Sequence, residues 1–170
     1  MKYLIYILTG ILFFGCLPKD NSALYNKACD LENRNEFNEA IKILTKAIEI
    51  VPNDIECLNN RAWDYYELGD FKNAYKDFEE ILKYSKQNTA GLYGIAFLKY
   101  KEKKYQKAIE LFDQIIKLKR LETVHIEWKT SEFETRGPLE ANMEKVYHFR
   151  SLAIKEQQTS SKKSNRCASP

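Results

Sequence analysis

Among the side chains able to do chemistry, the thiols and imidazoles come first. The chain carries four cysteines, Cys16, Cys29, Cys57 and Cys167, and two histidines, His125 and His148. No two cysteines form a CxxC pair and no histidines cluster beside them, so the spacing gives no support to a zinc site. Cys29 and Cys57 could form a disulfide in an oxidising compartment. The blander expectation is two small buried side chains within helices. Neither histidine has a paired nucleophile, and no serine or aspartate sits in a nucleophile elbow or a glycine-rich phosphate loop. His148 lies in a helical pattern and is expected to be a surface or satisfied core residue. These residues point to no catalytic site, no metal, no cofactor and no small-molecule substrate, and so to a protein that is not an enzyme.

Cys16 has a different context. Residues Tyr3 to Gly15 carry no charge, and Lys2 precedes them. As a helix this run would rise about 20 Å, short of the roughly 30 Å hydrocarbon slab, and Pro18, Lys19 and Asp20 stop it. The pattern fits a secretory signal better than a membrane span. The stretch Leu12-Phe13-Phe14-Gly15-Cys16 resembles the bacterial lipobox, in which a small residue precedes the cysteine that becomes lipid-modified. Gly15 and Cys16 match it, whereas Phe13 and Phe14 replace the aliphatic and small residues usual there. The resemblance implies a signal peptide over 1–15, a lipidated Cys16 at the start of the mature chain, and a tether over 16–20. The protein would then be anchored by acyl chains to a membrane of the bacterial cell envelope, facing the periplasm or the exterior. An uncleaved signal anchor is the alternative.

The elements that must position any site are helices. Of 170 residues, 44% are hydrophobic and 30% charged, with only 6 Gly and 4 Pro, which favours long helices over a turn-rich β fold. The net charge of +3, from 27 basic and 24 acidic residues, forms no dense basic stripe, which argues against nucleic acid as a partner.

An internal period organises the chain. Ala40, Ala74 and Ala108 are 34 residues apart, and the same interval relates Phe37, Phe71 and Tyr105, then Leu44, Phe78 and Phe112, then Ala28, Ala62 and Ala96, then Leu24, Leu58 and Leu92. Five columns agreeing over three copies identify a helical repeat. The small alanines suit the close approach of two helices in a hairpin. The bulky Phe37 and Leu44 columns are expected to fill the space between hairpins. Asn35-Glu36 and Gly69-Asp70 supply turns that tolerate left-handed backbone angles, and Pro52 follows a helix end. One hairpin cannot bury its apolar face alone, so about three must stack.

The period and the marker residues resemble the tetratricopeptide repeat. The copy at 55–88 carries the resemblance best, with Leu58, Ala62, Tyr65, Gly69, Phe71, Ala74 and Phe78 in the family's marker places. The copies at 21–54 and 89–122 depart at Asn35, where Gly is usual, and by lacking the third turn glycine and closing proline. The resemblance implies an all-α fold, a right-handed superhelical stack of three hairpins, with a concave face that holds a protein or peptide partner. Carried onto this sequence, the family's ligand-facing columns are Tyr25, Asn59 and Tyr93; Cys29, Trp63 and Phe97; and Glu32, Tyr66 and Tyr100, with Glu56, Glu67 and Lys101 at the edges. The expected groove residues are Tyr25, Asn59, Trp63, Tyr66, Tyr93, Phe97 and Tyr100, rich in the aromatic types that dominate binding hot spots. The paired Lys and Asn set with which some relatives clamp a carboxylate is missing. The expected role is a membrane-anchored adaptor for an envelope protein. The alternative is a structural subunit contacted through the convex face and a capping helix.

After the repeats, Val124-His125-Ile126-Glu127-Trp128 alternates apolar and polar residues and suggests an extended or irregular connector over 123–137. Leu139, Met143, Val146, Tyr147, Phe149 and Ile154 then recur at helical spacing, predicting a capping helix over 138–156, with Pro138 in its first turn. From Gln157 the composition predicts a disordered tail to 170.

Overall fold

The computed structural model describes residues 20–126 and 143–167, and side chains within 20–120 and 143–161. Cys16, with the expected signal and tether before Asp20, lies outside the described residues. So do 127–137 of the expected connector, including Trp128, and the side chains of His125 and Cys167. Among the described residues every element is an α-helix: α1 Ser22–Glu32, α2 Phe37–Ile50, α3 Ile55–Glu67, α4 Phe71–Tyr84, α5 Thr89–Lys101, α6 Tyr105–Ile126 and α7 Met143–Cys167. Helices α1 to α6 form three hairpins in a superhelical stack, and α7 packs on the third.

Local chemistry starts and ends these helices. The side chains of Asp54, Asp70 and Asn88 accept hydrogen bonds from the backbone N–H of Cys57, Asn73 and Gly91 at 3.0, 3.1 and 2.9 Å. Each such N-cap contributes about 1 kcal/mol. Within each hairpin the turn places one residue in the left-handed region, Asn35, Gly69 and Lys103, with φ of 58°, 78° and 61°. The following N–H reaches back five residues, from Glu36 to Leu31, Asp70 to Tyr65 and Lys104 to Lys99. This is the glycine-favouring helix end, made here with glycine in only one copy.

The core follows the repeat columns. Ala28, Ala62, Ala96, Ala40, Ala74, Ala108, Leu44, Phe78 and Phe112 are all fully buried. Phe71 and Tyr105 of the next column behave otherwise. Phe71 is 49% exposed, and its ring lies against Tyr66 at 5.6 Å, as Tyr105 lies against Tyr100 at 5.9 Å. These rings brace the turn inside a hairpin and do not fill the space between hairpins. That space is filled in part by Phe78, whose ring occupies the position that a Cβ on Gly94 would need.

Two boundaries differ from expectation. Residues 123–126 continue α6 as helix, because the helix of the third hairpin has no proline to stop it. Helix α7 runs to Cys167, so a disordered tail from Gln157 is incorrect for 157–167. Val146 and Ala153 are fully buried on a seam with Met143 and Phe149, and Arg150 donates to Asp113 on α6. Farther on, Gln157 donates to Gln106 at 2.7 Å. The hydroxyls of Thr159, Ser160 and Ser161 bond carbonyls three or four residues back, which lets these polar residues stay helical. Residues 138–142 of the expected cap lie outside the described residues.

Candidate functional site: the concave face

The concave face is formed by the first helices α1, α3 and α5, and the aromatic residues of α3 and α5 on it form one connected set. Trp63 of α3 meets Tyr66 edge-on at 5.7 Å and lies 6.0 and 5.7 Å from Tyr93 and Phe97 of α5. It also meets the core ring Phe78 at 5.3 Å. Tyr66 meets Phe97 at 5.3 Å. The set ends on α7, where Phe149 lies 4.9 Å from Phe97 and 5.6 Å from Tyr100.

That last contact divides the expected groove. Helix α7 covers the third hairpin, and every residue from Thr89 to Leu98 is buried. Tyr93 and Phe97 retain 9% and 8% of their surface, so they belong to the packing and not to an open face. Burial also pushes the Tyr93 phenol up to about 12. Tyr25, Cys29, Glu32, Trp63, Tyr66 and Tyr100 are half-buried and remain on the face. Asn59 is brought there too but is 93% buried by its neighbours, at 7% exposure.

The open part of the face, over the first two hairpins, is acidic. Glu32 accepts a hydrogen bond from Asn60 at 3.2 Å through one carboxylate oxygen, and its other oxygen has no protein partner. Asp64 is 3% exposed and likewise has an oxygen without a partner. Burial, then the nearby charges of Glu32 and Glu67, raise its pKa from 3.8 to about 7. Burial raises Glu32 as well. Sequence reasoning placed Glu32 and Glu67 here but missed Asp64, whose burial depends on the neighbouring hairpin.

Asp64 therefore opposes folding in a defined pH window. Its folded pKa is raised, so the fold carries no penalty from it below pH 3.8 and loses stability as pH rises towards about 7. Asp64→Asn is expected to stabilise the protein by about 1–3 kcal/mol at pH 8 and very little at pH 4. Thermal midpoints of both proteins at the two pH values check this; an equal shift at both would mean that Asp64 ionises as freely in the fold as in water.

Among the described residues the thiols offer no nucleophile. Cys29 and Cys57 are free. Burial, then Asp54, pushes Cys57 up to about 12, and burial, then Glu32, raises Cys29. His148 is exposed on α7, its ring edge-on to Phe149 at 5.3 Å. Among the described residues no group of three or more His, Cys, Asp or Glu could hold a metal ion.

Two tetratricopeptide repeat family models match the chain, over residues 22–54 and 65–125, and together they span more than half of it. The chain belongs to the tetratricopeptide repeat family. A tetratricopeptide repeat protein from Parabacteroides merdae is 26% identical with a TM-score of 0.56 over 62% of this chain, which spans only 41% of that protein's length. The Sgt2 tetratricopeptide domain of Aspergillus fumigatus matches 91% of this chain and 86% of its own, with TM-score 0.60 and 18% identity. The first tetratricopeptide domain of Spaghetti, solved with the HSP90 peptide SRMEEVD, matches 87% of this chain and 98% of its own, at TM-score 0.59 and 16% identity. The last two similarities show the fold alone. No curated protein matches. Helix α7 closes the concave face at the third hairpin because Phe149 lies on Phe97 and Tyr100.

Proposed function

We propose that this tetratricopeptide protein is a membrane-anchored adaptor, held to the bacterial cell envelope through Cys16, that binds a segment of an envelope partner on the concave face of its first two hairpins. The observation that carries this reading is the half-buried set of Tyr25, Trp63 and Tyr66, left open where α7 closes the rest. Large rings held rigid by their neighbours offer contact area at little entropic loss. Stacks of this family are protein-interaction scaffolds, and the Spaghetti domain carries a bound peptide, which supports a peptide as the occupant. The lipobox resemblance supports the anchor.

Site-specific photocrosslinking in native envelope tests the reading, with p-benzoylphenylalanine placed at Tyr66 on the concave face, at exposed Lys46 on α2, or at Tyr147 on α7. A partner captured from position 66 and not from 46 or 147 is the expected result. Capture only from 46 or 147 would favour the second reading, a structural subunit of an envelope assembly held through the convex face and α7. The exposed rings of Tyr84 and Tyr147, 48% and 53% accessible, speak for that second reading. In the same cells, Cys16→Ser is expected to abolish incorporation of labelled palmitate and release the protein from the membrane fraction; unchanged labelling would remove the anchor from the proposal.

A further inference from the structure

The open end of the concave face holds hydrogen-bond acceptors that have nothing to accept. One side-chain oxygen each of Glu32, Asn59 and Asp64 is buried without a partner. Asp64 and Asn59 keep only 3% and 7% of their surface. Buried acceptors of this kind are costly unless a donor reaches them. They come from adjoining helices, Glu32 from α1 and the other two from α3, and Glu32 and Glu67 both act on the Asp64 carboxyl through space. Glu56 and Glu32 act in the same way on Tyr25, so the carboxylates converge on one face and not along one helix.

The protein supplies no cation to this cluster from the helices that build it. The basic residues of these two helices are Lys27, which is exposed, and Arg61. Arg61 is held by both oxygens of Asp77, at 2.8 Å each, and by Thr45 at 3.1 Å. The half-buried rings of Tyr25, Trp63 and Tyr66 belong to the same two helices. Carboxylates beside aromatic faces are the surroundings that an ammonium or guanidinium group prefers, because it donates to the one and lies against the other.

We infer that the face between α1 and α3 receives a lysine or arginine side chain of the partner segment, with Glu32 and Asp64 as its acceptors. This rests on the concave face being the binding surface. Glu32 is half-buried, so its carboxylate can meet the incoming cation, and the ammonium then lies beside Asp64. A lysine ammonium brings three donors and an arginine five, enough for the orphaned oxygens of both carboxylates. Bound charge also removes the repulsion between the two carboxylates, so occupation of the face and ionisation of Asp64 favour each other.

The test uses the full chain in neutral detergent and three fluorescein-labelled heptapeptides of alternating leucine with lysine, glutamine or glutamate, followed by anisotropy at low salt. The lysine peptide is expected to bind at least tenfold more tightly than the glutamine peptide, and the glutamate peptide more weakly than either. The double variant Glu32→Gln, Asp64→Asn is expected to bind the lysine peptide no more tightly than the glutamine peptide. Its thermal midpoint, no lower than that of the parent, excludes unfolding as the cause. Equal binding of the lysine and glutamine peptides, or a preference that survives the double variant, overturns the inference and leaves the groove reading standing. Binding of none of the three overturns both.

Discussion

Asp77→Ala is expected to lower the stability of the protein by about 3–5 kcal/mol, the largest loss from any single polar side chain in the stack. Asp77 is 7% exposed, and its two oxygens take the Nε and Nη2 of Arg61 in a two-point contact. Removing the carboxylate leaves a buried guanidinium with Thr45 as its one remaining partner in this contact. Desolvation of an unpaired charge, and not loss of the pair's own attraction, sets the size of the effect. The double replacement Arg61→Met, Asp77→Leu removes both charges and restores apolar packing, so it should be far less harmful than Asp77→Ala alone. The pair and its Thr45 contact join three helices at the first interface: Arg61 lies on α3, Asp77 on α4 and Thr45 on α2. In a three-hairpin stack each hairpin is stable only through its neighbours, so Asp77→Ala should also broaden the urea transition by uncoupling the first hairpin. Urea unfolding followed by circular dichroism of the three proteins measures both effects. A loss in the double variant as large as in Asp77→Ala would mean that the pair contributes net stability of its own.

Gly94→Ala sets two opposed effects against each other. Alanine is the better helix former, by about 1 kcal/mol, and Gly94 lies in the middle of α5. A Cβ there would lie 2.4 Å from the ring of Phe78, which is itself fully buried between the second and third hairpins. Phe78 has no room to retreat, because Trp63 is packed on it at 5.3 Å. Overpacking of this kind costs about 1–3 kcal/mol and sometimes more, so the steric term wins and a net loss of about 2 kcal/mol is expected. The compensating change is Phe78→Leu, which shortens the ring. Phe78→Leu alone should destabilise through a cavity, and the pair Gly94→Ala, Phe78→Leu should recover part of both losses, a coupling that a double-mutant cycle reads directly. Strict additivity of the two losses would show that the ring is not what Gly94 accommodates.

The carboxylate cluster and the Arg61–Asp77 pair share one origin. Both sit at the junction of the first two hairpins, and both bury charge that a purely apolar contact would avoid. They differ in outcome: Asp77 is neutralised within the protein, whereas Asp64 has the like charges of Glu32 and Glu67 nearby. That contrast within one interface is what gives the open end of the concave face its distinct character.

Much of this architecture was legible in the sequence. The 34-residue spacing of the alanine and Phe78 columns follows from local geometry, since each copy must form the same hairpin and meet the next in the same way. The turns were legible for the same reason at Asn35 and Gly69, while Lys103 adopts the left-handed angle with no residue type to announce it. Periodicity also indicated a capping helix after the repeats, but not its length, because residues 157–161 are polar and are held by Gln106 and by their own hydroxyls. What periodicity could not carry was any contact between residues without a fixed spacing. The closing of the third hairpin by Phe149, the joining of Arg61 to Asp77 and the gathering of Glu32 and Asp64 all depend on side chains meeting across separate helices. The sequence by itself determined the hairpins and the side of each first helix that faces inward, since helical period is a property of neighbouring residues. Only the tertiary structure decided which part of that inward face stays open, because that depends on where α7 comes to rest.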